Sequence, residues 1–146
     1  TPLLRFLQKG RGVTSITGEK LYECQVIEAV TSVLSDANAE SSFYLMTADR
    51  EGAVYCLYLE AGKLSSAEQD ELARDIDQQL CRINIEYGSK RDSGRLAPLE
   101  LRLLQGGAGE DYRLACIRQG QREGQFKIVA LQYHDELMFD FTECLQ

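Results

Sequence analysis

The sequence lacks features that several large classes of protein require. No apolar run approaches the roughly 20 residues that cross a membrane, so no membrane-spanning helix is expected. His134 is the one histidine and no Cys-x-x-Cys pair occurs, which leaves few ligands for a metal site. Basic residues number 16 against 23 acidic ones, and the net charge of -7 argues against a nucleic acid as the main partner.

Cysteine usage indicates a reducing compartment. The five cysteines are odd in number and lie at least 25 residues apart along the chain. Such spacing is typical of buried free thiols rather than of a disulfide framework. We therefore expect reduced thiols and a cytoplasmic protein.

Length and composition are those of one globular domain. Hydrophobic residues make up 44% of the 146 residues and charged residues 27%, which is enough to build an ordinary core. The chain begins Thr-Pro-Leu-Leu-Arg, with neither an initiator methionine nor the apolar core of a secretory signal. We therefore expect residues 1–146 to form a single domain of a longer polypeptide.

The spacing of apolar residues predicts an α+β fold. A helical stripe begins at Leu21, and a second helix begins at a capping box formed by Ser65 and Glu68. The order β-α-β-β-α-β is typical of a two-layer, ferredoxin-like sandwich, with two helices on one face of an antiparallel four-stranded sheet. The four strands are predicted at Val13–Thr17, Ser42–Thr47, Ala53–Leu59 and Leu99–Leu103.

Both ends of the chain extend this unit. Leu3–Lys9 precedes Val13–Thr17 across a Gly-Arg-Gly turn, which predicts an N-terminal hairpin strand. Toward the carboxyl end, a short helix near Glu110–Gln119 and a strand at Phe126–Leu131 form a C-terminal helix–strand extension.

A cationic segment interrupts the acidic chain between two apolar elements. Gly88–Pro98 contains Lys90, Arg91 and Arg95 and is predicted to be a loop. A basic loop can bind a phosphate, a carboxylate or an acidic neighbouring domain. It can equally be a solvated connection, because loops carry polar residues by default.

Lys127 lies at the entrance of the last predicted strand. Strand alternation places Phe126 and Ile128 on one face and Lys127 on the other. A lysine at that position is either an ammonium held for a reaction or an edge residue that prevents aggregation. The glycine-rich run Gly106–Gly109 lacks the Gly-Lys-Ser/Thr ending of a phosphate loop, so we interpret it as a connection.

Four motifs occur in an order that points to a known family. They are Thr-Pro-Leu-Leu-Arg-Phe at 1–6, Ser-Ile-Thr-Gly-Glu-Lys-Leu-Tyr-Glu at 15–23, the segment 87–101 with its Pro-Leu-Glu, and the tail 120–127. Together they resemble the C-terminal domain of the auxin-responsive Gretchen Hagen family of acyl-acid amido synthetases, which are adenylate-forming enzymes. Lys20 and Glu23 stand at the family's usual lysine and glutamate. The family's tail commonly continues with proline and arginine, whereas Val129 and Ala130 stand here.

The resemblance implies a two-step, ATP-dependent reaction. A carboxylic acid forms an acyl-adenylate, and the amine of an amino acid then displaces AMP to give an amide. ATP and Mg²⁺ are bound mainly by a large N-terminal adenylation domain of the same polypeptide. The small C-terminal domain closes over that domain as a lid and is not catalytic alone.

The resemblance also assigns roles to individual cations. Lys127 matches the tail lysine, and an ammonium there would stabilise negative charge as the α-phosphate is attacked. Lys20, in the loop before the first helix, is a second candidate for facing the active site. Lys90, Arg91 and Arg95 become candidates for contacts with an acidic surface of the large domain on closure.

Two other classes of function fit the same order of elements. A small-molecule-sensing or regulatory module of ferredoxin-like topology would need no further domain. An RNA-binding module would need exposed aromatic residues on a basic sheet. Tyr44, Tyr55 and Tyr58 are available, but the charge of -7 opposes this third interpretation.

Overall fold

The computed structural model describes residues 12–119 and 128–146. In chain order the described elements are β1 (Val13–Thr14), β2 (Leu21–Tyr22), α1 (Glu23–Asp36), β3 (Ser41–Asp49), β4 (Val54–Ala61), α2 (Ser66–Ile83), α3 (Ile85–Asp92), β5 (Glu100–Leu104), α4 (Ala108–Arg118) and β6 (Leu131–Tyr133). Short 3₁₀ turns follow at His134–Glu136 and Phe141–Cys144. No helix within these residues is long and apolar enough to cross a membrane.

The main sheet is mixed, with the strand order β5-β4-β3-β6. The hairpin of β3 and β4 is antiparallel, with Met46 opposite Leu57. On its two sides β5 pairs with β4 and β6 pairs with β3, and both of these pairs are parallel. The short strands β1 and β2 form a separate antiparallel pair, with Val13 opposite Tyr22.

Local sequence explains the two long helices. In α1 the buried residues Val26, Val30 and Val33 recur at helical spacing and face the sheet. The start of α2 has the predicted capping box: Ser65 Oγ accepts from the Glu68 N–H at 3.1 Å, and Glu68 Oε1 accepts from the Ser65 N–H at 2.9 Å.

Apolar side chains cover both faces of the sheet. The larger cluster joins α1, α2 and α3 to one face, where Met46 and Leu57 are 0% exposed. The smaller cluster packs α4 and the C-terminal residues on the other face, around Phe43, Tyr112 and Phe141. Both faces of β3 are therefore buried, as its continuous apolar run requires.

The structure confirms the α+β class, the layered sandwich, both long helices and the C-terminal helix. The sheet is not antiparallel throughout, because β4 pairs directly and in parallel with β5. The first predicted strand is not part of this sheet. Val13–Thr14 instead pairs with Leu21–Tyr22 beside the main sheet.

Three local predictions need correction or fall outside the described residues. The segment Gly88–Asp92 is helical and belongs to α3, so Gly88–Pro98 is a loop only in its second half. Of the predicted strand Phe126–Leu131, residues 128–130 are not in a strand, and β6 begins at Leu131. Leu3–Lys9, Phe126 and Lys127 lie outside the described residues.

Candidate functional site

Residues 15–20, which we call the lysine loop, connect β1 to β2 without regular secondary structure. Side chains from distant parts of the chain hold both of its ends. At its start the Ser15 N–H donates to the Tyr133 hydroxyl at 3.0 Å. At its end the Lys20 carbonyl accepts a hydrogen bond of 2.6 Å from Asn84 Nδ2, next to α3.

Glu19 lies at the centre of the lysine loop and is 0% exposed. Its Oε2 accepts from the Ile16 N–H at 2.8 Å and from the Tyr55 hydroxyl at 2.7 Å. Its Oε1 accepts from the N–H and the hydroxyl of Thr17 at 2.9 and 2.8 Å. The backbone of the loop therefore folds around this one carboxylate.

Tyr55 connects the carboxylate to the core of the sheet. It lies in β4 and is 1% exposed. Because its single hydroxyl proton goes to Glu19, the Thr14 hydroxyl donates in the 3.0 Å contact between Thr14 Oγ1 and Tyr55. The Tyr55 ring also packs against Tyr87 of α3, with ring centroids 5.6 Å apart.

The pKa shifts of Glu19 and Tyr55 favour the protonation states that this hydrogen bond needs. Burial raises the pKa of Glu19, but the hydrogen bonds from Tyr55, Ile16 and Thr17 outweigh it and bring the pKa below its ordinary value. Burial raises the pKa of Tyr55, and the neighbouring carboxylate adds to the increase. At neutral pH the carboxylate is therefore anionic and the phenol is a donor.

The structure brings Lys20 and Lys90 to the same loop. Lys20 follows Glu19 directly, is exposed, and donates its N–H to Glu86 Oε1 at 3.3 Å. Lys90 lies one turn after Glu86 on α3, and its Nζ is 3.7 Å from the position that a Cβ on Gly18 would take. Two of the sequence-predicted cations thus lie at the lysine loop, although 70 residues separate them in the sequence.

Lys127 lies outside the described residues, but the chain after it is anchored. The Ala130 N–H donates to Glu23 Oε2 at 2.7 Å, at the first residue of α1. The Glu23 N–H donates in turn to the Gly12 carbonyl at 2.8 Å. Ala130 is 5% exposed and supplies no cation where the resembling family commonly has arginine.

Arg91 is bound inside the domain. Its Nη2 lies 2.8 Å from Asp77 Oδ2, and its Nη1 donates to the Leu96 carbonyl at 3.2 Å. The Tyr87 hydroxyl donates to the other carboxylate oxygen of Asp77 at 2.6 Å. The guanidinium that was a candidate for an interdomain contact therefore ties α3 to α2, whereas Arg95 is exposed.

The glycine-rich turn before α4 already holds a carboxylate. Glu60 of β4 accepts from the Gly107 N–H at 3.0 Å and from the Gly109 N–H at 2.7 Å. Burial raises the pKa of Glu60, but these hydrogen bonds bring it below its ordinary value. The protein's own side chain thus takes the position at which a helix start could bind an anion.

Metal ligands and disulfides do not contribute to the lysine loop. Within residues 12–119 and 128–146, no group of three or more His, Cys, Asp or Glu side chains could hold a metal ion. All five cysteines are free thiols.

The sequence identified the lysines but not the side chains that hold them. Tyr133 and Asn84 reach the loop from 118 and 64 residues away, so no periodicity connects them to it. Glu19 had a weak signal, since it stands inside a motif together with Lys20. The role of Glu19 depends on its contact with Tyr55, and these two residues meet only in the folded chain.

Comparisons with known proteins give consistent results. The profile of the GH3 family C-terminal domain matches residues 24–136. Two solved structures, "GH3.15 acyl acid amido synthetase" and "AtGH3.15 acyl acid amido synthetase in complex with 2,4-DB", share the fold with a TM-score of 0.78 and 19% sequence identity. The structural match covers 93% of this chain and 26% of each of those chains, so this chain spans about a quarter of their length. No curated protein sequence matches the chain.

Proposed function

The chain belongs to the GH3 family as a C-terminal domain, and on that basis we propose that it is the lid of a longer, ATP-dependent acyl acid amido synthetase. The observation that carries the proposal is the family match over residues 24–136. The solved synthetases of the same fold support it, since this chain corresponds to about a quarter of their length. The five free thiols fit an enzyme of the cytoplasm.

The proposed reaction has two steps. A carboxylate oxygen of the acid attacks the α-phosphorus of ATP, and pyrophosphate leaves. The amine of an amino acid then attacks the acyl carbon of the adenylate. AMP leaves with the oxygen that came from the acid, and the nitrogen loses a proton as the amide forms.

In the first step two anions approach each other, so the main task of the lid is to supply positive charge. A compact ammonium between the carboxylate and the α-phosphate stabilises the transition state more than the separated reactants. Lys127 is the proposed ammonium, in line with its match to the family's tail. The contact between Ala130 and Glu23 supports this assignment, because it fixes the chain three residues after Lys127 to α1.

The nucleotide, its Mg²⁺ and both organic substrates are proposed to bind mainly to the N-terminal adenylation domain. The described residues of this chain offer no metal-binding cluster, and their carboxylates at the site, Glu19 and Glu23, already accept hydrogen bonds. The contribution of this domain is therefore cationic. Lys20 and Lys90 supply further positive charge at the lysine loop.

The proposal is tested by Lys127→Ala in the complete polypeptide. We expect acid-dependent ATP–pyrophosphate exchange to fall by about a hundredfold or more, as for the loss of one preorganised donor to developing charge. The affinity for ATP is expected to change little, because the large domain holds the nucleotide. Lys63→Ala is the matched control, since Lys63 is an exposed lysine in the turn between β4 and α2.

Pyrophosphate exchange at the wild-type rate in Lys127→Ala would remove Lys127 from the reaction. Tight calorimetric binding of a free amino acid by this domain, without any acid-dependent exchange in the complete polypeptide, would support the sensor interpretation instead.

A further inference from the structure

The lysine loop contains a buried anion whose surroundings only a carboxylate can satisfy. Four donors point at Glu19: two backbone N–H groups of the loop, the Thr17 hydroxyl and the Tyr55 hydroxyl. A glutamine at this position would place an NH₂ donor opposite some of these donors, leaving buried polar groups unpaired. The negative charge is thus required by the contacts around it.

The same carboxylate joins the loop to the buried core of the domain. Tyr55 is 1% exposed in the middle strands of the sheet, and its ring packs on Tyr87. Tyr133 holds the start of the loop, and the Arg50 guanidinium lies 3.8 Å from the centroid of the Tyr133 ring. The loop is therefore fixed to β4 and to the end of β6, as well as to α3.

Lys20 benefits directly from this arrangement. Its side chain is exposed, yet its backbone is clamped by Glu86 on the N–H and by Asn84 on the carbonyl. With the backbone held, the ammonium reaches only the volume that the rotamers of its own side chain allow. Because the loop is anchored, the backbone of Lys20 keeps its position relative to the rest of the domain when the domain moves.

We propose that Glu19 is a positioning residue that, through Tyr55, fixes the lysine loop so that Lys20 meets an anionic group of the substrates when the domain closes. The chemical class of that group is a phosphate or carboxylate oxygen. The inference rests on the proposed function for the reaction it serves. The fixing of the loop by Glu19 can be measured independently of that reaction.

Hydrogen–deuterium exchange of the complete polypeptide, read by mass spectrometry, tests the fixing of the loop. In Glu19→Gln we expect peptides covering residues 15–20 to exchange about tenfold faster or more, because one of the two amides, that of Ile16 or that of Thr17, then faces an NH₂ donor instead of an acceptor. Peptides from β3 and α2 are expected to exchange as in the wild type. Glu28→Gln, the same change on the exposed face of α1, is the matched control.

Unchanged exchange of residues 15–20 in Glu19→Gln would overturn the inference. If Glu19→Gln fails to fold, Tyr55→Phe gives the same readout with a smaller perturbation. It keeps the carboxylate and the two loop amides on it, but removes the link to the sheet. An increase confined to the loop peptides then supports the inference, and no increase contradicts it.

A double-mutant cycle distinguishes positioning from general structural support. We expect Lys20→Ala and Glu19→Gln each to lower kcat of the complete polypeptide by about a hundredfold, as a misplacement of about 1 Å does. If Glu19 acts through Lys20, the double variant is no slower than Lys20→Ala alone. Losses that multiply in the double variant would contradict positioning through Lys20.

The two experiments also separate the inference from the proposed function. If Lys20→Ala has the kcat of the wild type, Lys20 takes no part in the reaction. The hydrogen–deuterium exchange experiment still decides whether Glu19 fixes residues 15–20.

Discussion

The Asp77 carboxylate is the point at which α2 and α3 are tied together. It accepts hydrogen bonds from the Tyr87 hydroxyl at 2.6 Å and from Arg91 Nε at 2.9 Å. The side chains of Arg91 and Asp77 are 21% and 11% exposed, so water screens the pair only slightly. Removing one partner leaves the other charge in a poorly solvated place, which costs more than the pair itself contributes.

Arg91→Ala is therefore expected to lower the free energy of unfolding by about 3 kcal/mol, near the lower end for a broken buried pair. Arg102→Ala is the matched control: it removes the same side chain from a surface pair with Glu100 in which both partners are about half exposed. The control is expected to cost about 0–1 kcal/mol. Urea denaturation followed by far-UV circular dichroism measures both, and equal costs would show that the Arg91 pair has no special role.

The sequence shows that the segment from Lys90 to Arg95 is basic, but it does not show which contact each cation forms. Lys90, Arg91 and Arg95 lie within one six-residue stretch of the chain, and all three are basic. In the folded domain their environments differ. Arg91 forms an ion pair with Asp77 of α2, the Lys90 ammonium lies near Gly18, and Arg95 is exposed. Such differences come from packing between elements and leave no local pattern.

At the scale of elements, α4 packs on β3 so closely that one position on the helix admits no side chain. A Cβ on Gly109 would lie 2.6 Å from the Cβ of Phe43, well inside van der Waals contact. The Gly109 N–H also donates to Glu60 Oε1 at 2.7 Å. The glycine-rich run at the start of α4 therefore allows close packing and a capping contact.

Gly109→Ala is expected to destabilise the domain by about 1–3 kcal/mol, because Phe43 and α4 must move apart. Gly106→Ala is the matched control, since nothing lies within 4 Å of a Cβ at Gly106. Thermal unfolding of both variants tests this. A Gly109→Ala variant as stable as Gly106→Ala would show that the gap between α4 and β3 can widen without cost.

Elements specified by local signals were predicted correctly from the sequence. The capping box at Ser65, the stripe of α1 and the β3–β4 hairpin depend on residues close together in the chain. Strand pairing depends on contacts over long distances, and the sheet that was expected to be antiparallel is mixed. The edge of the sheet beside β3 is taken by β6, and β5 lies directly beside β4.

At the scale of the whole molecule, the domain offers positive charge on a fixed loop within an acidic protein. The net charge of -7 describes the chain as a whole, whereas Lys20 is part of the lysine loop and Lys90 lies beside its Gly18. Motif order was enough to predict the family, which the match over residues 24–136 shows. The side chains that hold the loop could not be predicted, because Glu19 and Tyr55 meet only in the folded chain.

In the proposed reaction an acyl-adenylate reacts with an amine, so one oxygen atom of the acid ends on AMP. The most direct measurement supplies the complete polypeptide with ATP, Mg²⁺, amino acids and carboxylic acids labelled with ¹⁸O in the carboxylate, and follows amide and AMP by mass spectrometry. We expect amide formation with one ¹⁸O atom transferred to each AMP. Amide formed without labelled AMP, or no AMP formed with any acid, would contradict the proposed reaction.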